Sequence, residues 1–95
     1  MRIMSNNIHE DIEKLLEEDV FMKIRDVIVM RFGVQQSRVH NALRFDELGA
    51  ETLDVVEVAM EVEDIFDIRF RSSTAASFKT IGDVVSEVTQ LLSAK

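Results

Sequence analysis

Residues 48–68 read LGAETLDVVEVAMEVEDIFDI, and the fold follows from how this stretch is read. Asp54, Glu57, Glu61 and Asp64 step by three, four and three, which places them on one face of a helix. Leu53, Val56, Met60 and, further on, Phe66 supply its apolar positions. A helix over 52–66 would be roughly 22 Å long at ~1.5 Å per residue. Leu48-Gly49-Ala50 forms the turn leading into it, and Thr52 puts a hydroxyl at its start. From Glu51 to Asp67 there are seven acids and no base. No lysine or arginine four residues along relieves the repulsion within the stripe. Charge runs are usually solvated faces. An unrelieved run that starts beside a hydroxyl reads instead as a docking surface for proteins with basic patches.

The rest of the chain is consistent with this. Its 95 residues suit one domain, and a hydrophobic content of 46% lets it fold. The net charge is −7, and outside 51–67 eleven acids meet eleven bases, so the whole imbalance sits on the quoted stretch. Such a segment repels nucleic acid and anionic lipid. There is no cysteine, which excludes disulfides and thiolate metal sites and fits a cytoplasmic setting. Val27 to Met30, the longest apolar run, is too short to span a membrane. Ile3 to Glu10 is polar and lacks the apolar core of a secretory signal.

Helical periodicity dominates elsewhere too, with no proline and glycines only at 33, 49 and 82. Ile8, Ile12, Leu15 and Leu16 form one amphipathic stripe. Phe21, Ile24, Val27, Ile28 and Phe32 form a second, and Gly33 is suited to end it. One long helix or two shorter ones fit equally. Residues 34–50 follow no period, and Val39, Leu43, Phe45 and Leu48 are expected to pin them to the core. Ser72 to Ser77 has room for one short turn of helix. Thr80 reads as an N-cap with Asp83 three residues on. Ile81, Val84, Val85, Val88, Leu91 and Leu92 line the last helix.

No catalytic constellation emerges. His9 and His40 lack ligand-spaced companions, so no metal site is expected. There is no G-x-S-x-G and no glycine-rich phosphate loop. The carboxylates run along a helix instead of facing each other across a cleft, so an acid/base pair is not expected.

The quoted stretch resembles the acyl carrier protein signature, LGADSLDxVExVMxxEExFD. Leu48, Gly49, Ala50, Leu53, Asp54, Val56, Glu57, Val58, Met60, Glu63, Phe66 and Asp67 match it. The likeness runs on through Phe70, Thr80, Ile81, Val85 and Val88, and back to Gly33-Val34 and Val39. It implies an all-α four-helix bundle with a long first loop and a short third helix, over 20–95. Residues 1–19 are an extra N-terminal helical extension. It also implies a 4′-phosphopantetheine arm on the hydroxyl of Thr52. The arm would present acyl thioesters to enzymes of a fatty-acid, lipid or polyketide-type pathway. A phosphopantetheinyl transferase and acyl-handling enzymes with basic patches are the implied partners of a monomeric carrier that is not an enzyme. Leu53, Asp54, Val56, Glu57, Met60, Glu61 and Asp64 are the implied docking residues.

The chain departs from the family pattern at its centre. Where the family has Asp-Ser-Leu, this sequence has Glu51-Thr52-Leu53. The β-methyl of threonine crowds its oxygen and narrows χ1. Two readings of Thr52 stay open: it accepts the arm, or it caps its helix in an unmodified, carrier-like docking protein. A peptidyl or aminoacyl carrier is a third reading, and tends to have a less acidic second helix. The family's acidic, proline-containing stretch after Phe-Asp is replaced by Arg69, Arg71 and small residues.

Overall fold

A computed structural model describes the backbone of residues 4–94 and the side chains of residues 14–94. Helix α1 runs unbroken over Met4–Phe32, passing residues 19 and 20 without interruption. At ~1.5 Å per residue its 29 residues extend about 43 Å, most of the 50 Å long axis of the molecule. Gly33 ends it with φ +67°, its N–H bonding the Val29 carbonyl at 2.9 Å. A residue with a Cβ resists that left-handed conformation. Helix α2 spans Thr52–Phe66, α3 Ser72–Ser77 and α4 Ile81–Ser93, and no strand forms among the described residues. The architecture is thus the all-helical bundle expected, with a short third helix. Helix α1 packs mainly on α4 and also on α2, and α3 packs on α2.

The core is contributed by α1, α2, α4 and the connections between them, with α3 adding no buried side chain. Val20, Ile24, Val27 and Ile28 come from α1, and Val55, Val58, Ala59 and Val62 from α2. Ile81, Val84, Val85 and Val88 come from α4, with Ile68 and Phe78 from the flanking turns. On α1 the seam runs through Val20, while Phe21 and Phe32 sit at its edge. Leu15 is exposed and Leu16 half-buried. The side chains of Ile8, Ile12 and His9 lie outside the described residues. Phe70 and Phe78 meet edge to face at 5.2 Å.

The long first connection contains two turns of 3-10 helix, Gln36–Arg38 and Phe45–Leu48. Val39, Leu43 and Phe45 are buried and Leu48 is half-buried, as expected of its anchors. Three backbone bonds also tie it to the start of α4: Phe45 N–H to Lys79 O, Ile81 N–H to Leu43 O and Gly82 N–H to Asn41 O. Gly82 permits this close approach, because a Cβ there would stand 3.0 Å from the Asn41 carbonyl oxygen. The connection leading to Thr52 is therefore held by both the core and α4.

Candidate functional site

Helix α2 is apolar on two sides, and the structure shows which one is buried. Val55, Val58, Ala59 and Val62 face inward. Leu53 and Met60, on the opposite face, are 66% and 57% exposed. Positions 53, 57, 60 and 64 follow the four-three-four spacing of a single helical face. Leu53, Glu57, Met60 and Asp64 therefore stand together on the outer face, flanked by half-buried Val56 and exposed Glu61. Ile65, also partly exposed, lies on the flank toward α1.

The start of α2 is capped without Thr52. Glu51 is the N-cap residue, in extended conformation. The Asp54 carboxylate accepts the Glu51 N–H at 2.8 Å. Val55 N–H makes the first helical bond, to Glu51 O at 3.1 Å. The Glu51 side chain in turn faces the Asp54 N–H in a reciprocal capping box, so the amides of Thr52 and Leu53 are the ones that lead out of the helix end. Thr52 is the first residue of the helix and exposed, and its hydroxyl bonds to no described residue. The alternative in which Thr52 caps the helix is corrected here. Asp54 reaches back to the N-cap amide, so the threonine oxygen has no capping role.

Thr52 opens onto a shallow cleft of 230 Å³ between the first connection, α2 and the turn before α4. Phe45, Val55 and Phe78 form its apolar wall, Arg44 and Lys79 bring positive charge, and Asp46 and Glu51 bring negative. Arg44 grips Asp46 through Nε and Nη2, at 3.1 and 2.9 Å. That hydrogen bond raises the Arg44 guanidinium above its ordinary pKa and, from the other side, lowers the Asp46 carboxyl. The free amides at the helix start and the macrodipole favour an anion at this corner, with Lys79 beside it, while Arg44 is already engaged by Asp46.

The acidic stripe is not unrelieved, as sequence spacing had implied. Arg31, in the last turn of α1, bonds Glu57 Oε1 at 3.1 Å and Glu61 Oε1 at 3.4 Å. It lies 26 and 30 residues away in sequence, so no local spacing rule could have found it. Glu63 is also engaged, its carboxylate closing the end of α2 by accepting the Phe70 N–H at 2.7 Å. Asp67 follows in left-handed conformation, φ 55°. His40 is exposed. Among the described residues no cluster of His, Cys, Asp or Glu could hold a metal, and no helix is long and apolar enough to cross a membrane.

Two comparisons with known proteins bear on this site. The family model described as "Phosphopantetheine attachment site" matches residues 23–88, a span that includes all of α2. A curated acyl carrier protein from Exiguobacterium sibiricum is 35% identical over 75 residues, covering 78% of this chain and 95% of its own length.

Proposed function

The chain belongs to the acyl carrier protein family, and we propose that Thr52 is the residue on which it bears its arm. Proteins of this family are carriers and not enzymes, and they interact with acyl-handling enzymes. The group they carry is 4′-phosphopantetheine. When bound, it supplies a terminal thiol on which acyl groups are held as thioesters.

The observation that carries the proposal is the unengaged hydroxyl of Thr52 at the first turn of α2. Glu51 and Asp54 complete the cap, so the Thr52 oxygen is free to take a phosphodiester without unravelling the helix. The outgoing amides of residues 52 and 53 and the charge of Lys79 would steady the phosphate. Leu53, Val56, Glu57, Met60, Glu61 and Asp64 would be the face that partners grip, with Asp54 at its upper edge also serving the cap. Exposed leucine and methionine give apolar contact, and the acids give steering and exchangeable attraction. A phosphopantetheinyl transferase and enzymes of a fatty-acid, lipid or polyketide-type pathway, acting in the cytoplasm, are the proposed partners. Residues 4–19 extend α1 beyond the carrier domain.

The test is loading in vitro with coenzyme A and a broad-specificity phosphopantetheinyl transferase, read by intact mass and peptide mapping. Wild type is expected to gain one phosphopantetheine on Thr52, and Thr52→Ala none. Thr52→Ser is expected to load faster, because removing the β-methyl uncrowds the attacking oxygen. Loading of Thr52→Ser with none on wild type would overturn the proposal for the natural chain.

A further inference from the structure

We infer that Arg31 is a built-in competitor on the docking face. It holds Glu57 and Glu61, so that a partner is selected by whether it can draw Arg31 away. The inference rests on the docking reading of α2 and adds a residue from outside that helix.

The position of Arg31 is set by the fold. It is the basic residue in the last turn of α1, two residues before the left-handed Gly33 that redirects the chain. Its guanidinium spans two successive turns of α2 at 3.1 and 3.4 Å. The three side chains keep 32%, 45% and 46% of their surface in solvent, so the contact is exchangeable and not locked. Pairs this exposed shift an equilibrium by roughly fivefold or less. That is too weak to define the fold and comparable to the differences that separate one transient partner from another.

The surroundings sharpen the selection. A 300 Å³ groove beside this contact is lined by Lys23, Asp26, Val27, Met30, Glu61 and Ile65. Met30 is 83% exposed there. Lys23, the other base on this border, is already paired with Asp19 at 3.0 Å and has Asp26 beside it in the groove, which leaves Arg31 as the cation facing Glu57 and Glu61. A uniformly basic partner meets Arg31 both as a like charge and as a rival for the two glutamates. A partner with one carboxylate set in its basic patch can accept Arg31 and free Glu57 and Glu61 for its own cations. Asp64 and the Thr52 end of α2 stay open to both kinds of partner.

The test uses two amphipathic helical peptides as probes: one whose only charges are lysines, and a twin with a single glutamate added. Binding is measured at low ionic strength to wild type, Arg31→Met and Glu57→Gln/Glu61→Gln. The lysine-only peptide should bind Arg31→Met about two- to fivefold tighter than wild type, with a steeper salt dependence. That gain should shrink, to what relief of like-charge repulsion alone provides, when Arg31→Met is made in the Glu57→Gln/Glu61→Gln background. The glutamate-bearing twin should gain less from Arg31→Met than the lysine-only peptide does. Arg31→Lys, which keeps the charge and loses the forked grip, should fall between wild type and Arg31→Met, and it reads the same quantity should Arg31→Met fold poorly. No gain for the lysine-only peptide with either Arg31 variant would overturn the inference. The docking reading is judged separately, by the effect of Glu57→Gln/Glu61→Gln on transferase affinity, and stands or falls on that result alone.

Discussion

Removing the carboxylate of Asp83 should loosen the start of α4, and with it the connection that leads to Thr52. In the native chain this carboxylate accepts the Lys79 and Thr80 N–H groups at 2.9 and 3.0 Å. The Thr80 hydroxyl in turn accepts the Asp83 N–H at 3.1 Å. Asp83→Ala forfeits two charge-assisted bonds at an exposed helix end, where water replaces the lost acceptor. The expected cost is therefore that of a strong cap, about 1–2 kcal/mol, and Thr80→Ala should cost about 1 kcal/mol. Because the bonds are reciprocal, the double variant should lose less than the sum of the two. For a domain of this size the single Asp83→Ala change should lower Tm by roughly 4–16 °C.

The charge part of this effect has a definite pH signature. The Lys79 and Thr80 amides favour the ionised carboxylate and hold Asp83 below its ordinary value of 3.8. Its contribution is complete above the ordinary carboxylate range and fades as pH falls through the lowered native value. Urea unfolding of wild type and Asp83→Asn, followed by far-UV circular dichroism, should show a stability gap at pH 7. That gap should close on acidification toward the range where native Asp83 protonates. A gap that stays constant over the whole range, or an Asp83→Ala cost of only a few tenths of a kcal/mol, would refute this account of the cap.

Three further outcomes are expected. Ile24, fully buried on α1, should cost about 2–5 kcal/mol when cut to alanine, measured by denaturant unfolding. Gly49 sits at φ +75° in the turn before Thr52, so Gly49→Ala should cost about 1–2 kcal/mol even though its Cβ would meet nothing, again by unfolding. Glu57→Gln/Glu61→Gln should weaken transferase binding and flatten its salt dependence, with chain stability changed by less than about 1 kcal/mol.

What the sequence made legible was local. Helix α2 begins at Thr52 and ends at Phe66 because a glycine turn, an acidic first turn and a 3.6 period mark its limits. The Thr80/Asp83 cap and the short helix over Ser72–Ser77 are equally local signals. The anchors of the first connection could be read because isolated large apolar residues in a polar stretch have few other places to go. Periodicity alone did not give the inward side of α2, because Leu53/Val56/Met60 and Val55/Val58/Val62 both satisfy helical spacing; only the family resemblance put the first set on a docking face. Packing against α1 and α4 chose the second set. Arg31 and Glu63 escaped for a related reason, since each completes its role with a residue in a different element. The capping role of Asp54 was obscured by the hydroxyl residue at the helix start; the cap residue is Glu51, one before Thr52.

Intact mass of the protein isolated from its own host, with the modified peptide mapped, tests the central claim most directly. The account predicts one phosphopantetheine, alone or acylated, on Thr52. Protein bearing no such group, under growth conditions in which other carriers of the same cell are loaded, would contradict it.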